Sequence, residues 1–233
     1  SEYTFRTINS LVKSAKDLKK KFSKIKIKFT IIDVNSPDSD TNKILSKISN
    51  EGFKAELARV EDINDTKDNM TTTMASIEKS FYAAQNCADL IYFVEDDYIH
   101  KRESLAEMIF AYEKFSSIFQ KEIFILSTDY PYLYKKMGSS NILIGEKTHW
   151  RTVNESLLTF MTSSKMIKKY FEKLVDMATN RSDPFEKNLH EIYEKEQCFS
   201  PIPSLSIHCT NINSVFGLSP NIDLKKLWEE NKN

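Results

Sequence analysis

Three consecutive acidic side chains follow an apolar run in the middle of the chain. Residues 90–94 are all apolar, and Glu95, Asp96 and Asp97 come directly after them. Partly buried like charges repel each other and lose hydration, so a bound cation would offset the cost of ionising this cluster. Oxygen ligands favour hard ions such as Mg²⁺ or Mn²⁺, which keep positions open for diphosphate oxygens. The alternative is the N-terminus of a helix beginning after Tyr98, where acidic residues interact well with the helix dipole.

A histidine stands at the end of the last predicted strand. His208 closes residues 201–208, a run that is mostly apolar or small. A lone histidine in a strand is more often a core or surface residue than a metal ligand. In combination with the acidic run, however, His208 favours a functional interpretation of Glu95 and Asp97 over the helix N-terminus.

The elements that must position these side chains alternate between helix and strand. Apolar residues at intervals of three and four predict helices, and short alternating or β-branched runs predict strands. The predicted helices cover residues 5–22, 40–50, 70–87, 105–119, 163–177 and 184–196. The predicted strands cover residues 26–32, 55–60, 90–94, 123–126, 156–161 and 201–208, and residues 130–154 look irregular. This order predicts an α/β fold whose site lies at the carboxyl ends of the strands.

Composition argues against several classes of protein. Lysine plus arginine and aspartate plus glutamate number 33 each, so the formal net charge is +0 and a nucleic-acid partner is not expected. The lysine-dense residues 13–28 read as a solvated helix face. The chain lacks a run of eighteen apolar residues and a signal-peptide pattern, which predicts no membrane span. Three cysteines without CxxC spacing fit a reducing cytoplasm, and peripheral association with the inner face of the membrane stays compatible with this reading.

The order of these elements resembles the GT-A glycosyltransferases often called family 2. Residues 90–97 look like the strand that ends in the DxD motif of that family, with Glu95 and Asp97 in the outer places and Asp96 between them. The resemblance covers most of the chain. It implies a Rossmann-like, mixed but mainly parallel central sheet flanked by helices.

The same resemblance assigns further segments. Residues 29–38 look like the strand and turn that carry an acidic residue near the nucleotide base, here Asp33, although a simple Asx turn explains this residue equally well. Residues 201–208 look like the terminal strand whose histidine completes the metal site. Residues 1–233 then form a single domain, with a nucleotide-binding part at about 1–100 and an acceptor or catalytic part at about 101–233. The family's first strand is missing, which suggests a piece of a longer chain or an atypical first strand.

The expected catalytic base of the family falls on the turn around Pro184. Asp183 and Glu186 are the two candidates, with Asp183 slightly favoured. The usual adjacent Glu-Asp pair is absent. Pro184 in the first turn of a helix, with Asp183 as its N-cap, is a complete structural alternative.

Trp150 and Arg151 lie in the irregular region that lines the donor-sugar or acceptor pocket of similar proteins. An indole face beside a guanidinium suits sugar stacking and phosphate contacts, whereas a tryptophan that pins a loop is the structural alternative. We therefore expect Asp33, Asp96, Trp150 and Arg151 to contact the donor.

The resemblance implies a transferase that depends on Mn²⁺ or Mg²⁺. Its donor would be a nucleoside-diphosphate sugar, by default a uridine diphosphate sugar, and its acceptor a glycan or lipid-linked saccharide. The implied reaction is a direct displacement with inversion. A nucleotidyltransferase is one alternative, although only four glycines, none of them clustered, argue against its phosphate loop. A catalytically inert GT-A module within a larger assembly is the other.

Overall fold

The computed structural model describes residues 1–61, 68–87, 89–135, 138–210, 212–213 and 217–232. Its helices are α1 Glu2–Lys21, α2 Asp38–Asn50, α3 Asn69–Ala84, α4 Ser104–Phe119, α5 Ser164–Lys169, α6 Phe171–Thr179, α7 Lys187–Tyr193 and α8 Leu224–Glu230. Its strands are β1 Lys28–Asp33, β2 Lys54–Arg59, β3 Leu90–Phe93, β4 Tyr98–His100, β5 Phe124–Leu126, β6 Ile142–Ile144, β7 His149–Val153, β8 Phe160–Ser163, β9 Cys198–Ile202 and β10 Ser206–His208. The alternation confirms the predicted α/β class.

The central sheet has six strands in the order β3-β8-β5-β9-β7-β6. Strands β5 and β9 run parallel, and the other four neighbouring pairs are antiparallel. The expectation of a mainly parallel sheet is therefore wrong, and the sheet is mixed. Strand β8 lies antiparallel between β3 and β5, and β6 and β7 form a hairpin; neither arrangement is a parallel crossover. Strands β1 and β2 form a separate parallel pair, and β4 and β10 form a short antiparallel pair.

Two further predictions about strands need correction. The region 130–154, expected to be irregular, contains the β6–β7 hairpin. The single strand expected over residues 201–208 is divided between β9 in the central sheet and β10, which pairs with β4. Pro203 lies between these two strands, and its missing N–H cannot continue a ladder. Because of this division, His208 pairs with a residue of β4 and is not part of the central sheet.

Both faces of the central sheet are covered by helices. Successive side chains of a strand point to opposite faces, so Phe124 and Leu126 of β5 join one core cluster while Ile125 joins the other. The first cluster packs against α1, α2 and α4, and the second against α3, α6 and α7. Within the described part of the chain, none of the helices is long and apolar enough to cross a membrane.

His100, at the end of β4, is buried, and we expect it to make the free energy of unfolding depend on pH. Its Nε2 accepts a hydrogen bond from the Tyr92 hydroxyl at 2.6 Å, and its Nδ1 donates to the Tyr98 carbonyl at 3.1 Å. Burial lowers the pKa of His100 from 6.5 to about 3. The unfolded chain therefore binds a proton at this residue near pH 6.5 while the folded chain does not. The stabilising effect is complete above the unfolded pKa and is lost as the pH falls towards the folded pKa.

Because of the shifted pKa of His100, we expect the free energy of unfolding to fall by about 2 kcal/mol when the pH is lowered from 7 to 5. Urea unfolding of the parent and of His100→Gln at both pH values measures the difference. The variant will be less stable at pH 7 but will lack this part of the pH dependence. His149→Gln, at an exposed residue of β7, serves as the control and should retain it. An unchanged pH dependence in His100→Gln would contradict the prediction.

Candidate functional site

Asp97 and His208 are neighbours because two short strands pair. Asp97 directly precedes β4 and His208 ends β10, and the antiparallel register places Tyr98 opposite His208. The Cys209 N–H donates to the Asp97 carbonyl at 2.9 Å, which extends this pairing by one hydrogen bond. As a result, His208 Nε2 lies 2.8 Å from Asp97 Oδ2.

Two further side chains fix this pair. The Thr210 hydroxyl donates to Asp97 Oδ2 and lies 3.2 Å from His208 Nε2. The Tyr98 ring stacks on the imidazole with centroids 4.7 Å apart and an interplanar angle of 7°. Burial acts to raise the pKa of Asp97, but the hydrogen bond and charge of His208 lower it below its ordinary value. Burial likewise acts to lower the pKa of His208, but Asp97 raises it. The two residues therefore form an ion pair.

Glu95 follows β3 and is held by one hydroxyl group. The Glu95 N–H donates to Thr159 Oγ1 at 3.1 Å, and this hydroxyl donates to Glu95 Oε2 at 3.2 Å. Thr159 is fully buried immediately before β8, the antiparallel neighbour of β3. Burial raises the pKa of Glu95 to about 7, and the charge of Asp97 adds to the rise. A cation beside Glu95 would favour its ionised form.

The two candidates for the base, both in the acidic turn before α7, differ in their exposure to solvent. Burial raises the pKa of Glu186, and its charge contributes to the raised pKa of Glu95. The same charge helps burial to raise the pKa of Tyr132. Asp183 is exposed. The structure thus brings Glu186, the less favoured of the two in the sequence, close enough to Glu95 for its charge to raise the pKa of that carboxyl.

Asp96, the middle residue of the acidic run, faces α1. Its Oδ2 accepts a hydrogen bond from the Thr4 hydroxyl at 2.6 Å, and its carbonyl accepts one from the Thr7 hydroxyl at 3.0 Å. Asp96 is exposed, whereas Asp97 is buried. The structure therefore does not bring Asp96 into the pair formed by Asp97 and His208. Its contacts connect the first two turns of α1 to the segment after β3.

Asp33, at the end of β1, has a complete set of structural partners. Both of its carboxylate oxygens accept the Ser36 N–H at 3.3 Å, and Arg59 Nη1 lies 3.2 Å from Oδ2. Arg59 is supplied by the end of β2, the parallel partner of β1. These contacts are those of an Asx turn with an ion pair, so the structural alternative accounts for the placement of Asp33.

Trp150 does not present a free ring face in this structure. It is fully buried, and its indole N–H donates to Glu107 Oε1 at 3.2 Å. The buried Glu107 carboxylate also accepts the backbone N–H groups of Glu146 and Lys147, each at 3.0 Å. Gly145 packs so closely against this group that an added Cβ would overlap Glu107 and Trp150. The ring therefore fixes the β6–β7 hairpin to α4, as the structural alternative expects, and the stacking of Trp150 on a sugar stays a prediction.

Arg151 of β7 forms a buried ion pair with Asp129, which follows β5. Its Nε and Nη2 lie 3.2 Å and 2.9 Å from Asp129 Oδ1, and the Tyr134 hydroxyl donates to Asp129 Oδ2 at 2.5 Å. The Tyr134 ring also lies 4.1 Å from the guanidinium carbon. Ser204 Oγ accepts the Asp129 N–H at 2.8 Å. Asp129 thus compensates the charge of Arg151, and the phosphate contact expected of Arg151 stays a prediction.

Three residues around the acidic group were not identified from the sequence. Tyr98 stacks on the ring of His208. Thr159 donates a hydrogen bond to Glu95, and Thr210 donates one to Asp97. Thr210 carries a weak sequence signal, because it lies two positions after His208, the spacing at which residues share one face of a strand. Tyr98 and Thr159 become apparent only when the strand register is known.

The donor set is chemically suitable for a hard or borderline divalent ion. Carboxylate oxygens of Glu95 and Asp97 with an imidazole nitrogen fit Mn²⁺ well, and Mg²⁺ through the oxygens. His208 Nδ1 is buried without a hydrogen-bond partner, whereas Nε2 faces Asp97, so Nε2 is the nitrogen that would bind a metal after losing its proton. Within the described residues, no three His, Cys, Asp or Glu side chains are already arranged as a metal centre. A metal would therefore have to replace the contact between Asp97 and His208.

Comparisons with protein-family models, with curated protein sequences and with solved structures gave no match to this chain. The interpretation of the site therefore depends on its geometry and chemistry.

Proposed function

We propose that this chain is a GT-A type, metal-dependent glycosyltransferase that moves a sugar from a nucleoside-diphosphate sugar to a hydroxyl acceptor with inversion. The observation that carries the proposal is the convergence of acidic groups from separate elements. Glu95 and Asp97 follow β3, Glu186 precedes α7, and His208 ends β10. Electrostatic coupling links Glu95 to each of the other three residues. Such a concentration of carboxylates with perturbed pKa values is typical of functional sites.

Glu95, Asp97 and His208 would hold the metal ion. When bound, a divalent cation neutralises the negative charge that develops on a departing diphosphate. The protein contributes the fixed positions of its ligands: Thr159 holds the Glu95 carboxyl, while Tyr98 and Thr210 hold the His208 ring and the Asp97 oxygen. Ligands that are fixed before binding lose little conformational entropy when the donor arrives.

Glu186 is our preferred general base. The proton of the acceptor hydroxyl would pass to the Glu186 carboxylate as the acceptor oxygen bonds to the anomeric carbon and the bond from that carbon to the diphosphate oxygen breaks. Burial raises the pKa of Glu186, and a carboxylate of raised pKa is a stronger base than an exposed one. The charge of Glu186 contributes to the raised pKa of Tyr132, so Tyr132 would line the site beside Glu186.

A screen of donors tests the proposal directly. Nucleoside-diphosphate sugars should raise the melting temperature in the presence of Mn²⁺ and have little effect when EDTA replaces the metal. The reason is that the diphosphate contacts this cluster of carboxylates through the cation. Slow metal-dependent hydrolysis of the donor would then separate an enzyme from an inert binding module. If no nucleotide sugar stabilises the protein with Mn²⁺, the proposed function is wrong.

A further inference from the structure

A second candidate binding site lies along α1, away from the carboxylates. A depression of about 240 Å³ is lined by four cationic side chains, Lys13, Lys16, Lys47 and Arg102, together with the acidic Glu51. The cations come from α1, α2 and the turn between β4 and α4. The fold thus gathers positive charge from three segments at one place, although the net formal charge of the chain is +0.

Only part of this charge is compensated. Lys16 Nζ lies 2.5 Å from Glu51 Oε2, and Arg102 Nε lies 2.8 Å from Asp17 Oδ2. Lys13 Nζ, by contrast, contacts the backbone carbonyl of Glu230, a neutral acceptor.

Within the described part of the chain, neither Lys13 nor Lys47 forms an ion pair with a carboxylate. Burial lowers the pKa of Lys13, and the charges of Lys47 and Arg102 lower it further, while the charges of Glu230 and Glu51 act in the opposite direction. These side chains are therefore close enough to repel each other. An anion placed among them would relieve the repulsion.

We propose that this depression binds a phosphate or diphosphate group, either as a free anion or as the headgroup of a lipid. The ammonium groups of Lys13 and Lys47, which form no ion pair within the described residues, match the charge of such a group, and Arg102 and Lys16 add hydrogen-bond donors. The volume is below the range of about 300–1,000 Å³ that is usual for drug-sized ligands, which favours a small anion over a whole nucleotide.

This site is separate from the carboxylates. Thr4 of α1 contacts Asp96, whereas Lys13 lies nine residues further along the same helix, which is about 14 Å at 1.5 Å per residue. Binding here therefore requires neither a divalent metal nor the proposed transfer reaction. An experiment in EDTA can examine it alone.

Isothermal titration calorimetry with inorganic diphosphate, in EDTA and at constant ionic strength, tests the proposal. A second arm measures cosedimentation with phosphatidylcholine vesicles with and without phosphatidic acid. Diphosphate binding identifies a soluble anion. Binding only to the vesicles that contain phosphatidic acid identifies a headgroup. Absence of both overturns the proposal.

Matched variants decide whether the binding occurs at this depression. Lys13→Met with Lys47→Met should weaken it by about tenfold or more, as expected for the loss of hydrogen bonds to charged groups. Lys121→Met with Lys195→Met makes the same change in net charge at a different surface groove and should leave the affinity within about twofold. Lys47→Met alone tests the site without disturbing the contact between Lys13 and Glu230. Equal weakening by both pairs, or none by the first pair, would show that the anion binds elsewhere.

Discussion

Asp97→Asn should abolish metal-dependent nucleotide binding. The affinity for a nucleoside diphosphate in the presence of Mn²⁺ should fall by about a hundredfold or more, because the substitution removes a charged ligand at the centre of the site. Asp97 Oδ2 is the atom that both His208 and Thr210 contact, so the loss of its charge also removes the ion pair with the imidazole. Calorimetry with and without Mn²⁺ measures the effect.

Asp89→Asn is the matched control for this experiment. It makes the same chemical change at an exposed residue immediately before β3, the strand whose other end leads to Asp97. We expect it to bind like the parent. A thermal unfolding curve shows whether Asp97→Asn remains folded. An unchanged metal-dependent affinity in folded Asp97→Asn would place the metal elsewhere, and the proposed site would be wrong.

Glu186→Gln should reduce transfer by about a hundredfold or more while donor binding is retained. Glutamine keeps the shape of the side chain but cannot take the proton of the acceptor. Since Glu186 is not one of the proposed metal ligands, the Mn²⁺-dependent affinity for the donor should change little. Transfer rates at saturating donor, together with donor affinity from calorimetry, separate the two effects.

Asp183→Asn provides the comparison within the same turn. Asp183 is exposed while Glu186 is partly buried, so we expect the Asp183 variant to keep most of its activity. The sequence slightly favoured the opposite outcome. If only Asp183→Asn loses transfer, Asp183 is the base and the buried Glu186 has a structural role. If both variants keep full activity, the base lies elsewhere, with Asp129 and Glu155 as the next candidates.

The role of Asp33 shows how a motif can admit two explanations. In the sequence, an acidic residue after a strand suits both a nucleotide contact and an Asx turn. The structure supplies the full set of turn partners, because β2 runs parallel to β1 and brings Arg59 beside Asp33. This pairing depends on the register of two strands, which the residues around Asp33 do not specify.

Trp150 and Arg151 show a similar limit. Both residue types suit a sugar-binding pocket, and their position in an apparently irregular region encouraged that interpretation. In the structure they belong to β7, where alternate residues face opposite sides: Trp150 packs against α4 and Arg151 reaches Asp129. The buried partners Glu107 and Asp129 lie far from them in sequence, so burial and compensation could not be predicted locally.

The sequence by itself determined the α/β class and the position of the acidic run after a buried strand. Both follow from local periodicity and from the length of apolar runs, which short-range interactions dictate. The tertiary structure decided the direction of the strands, the division of residues 201–208 into β9 and β10, and hence the contact between His208 and Asp97. It also left Asp183 exposed and partly buried Glu186. These outcomes depend on strand register and burial, which arise from contacts between residues distant in sequence, and for that reason no local pattern could fix them.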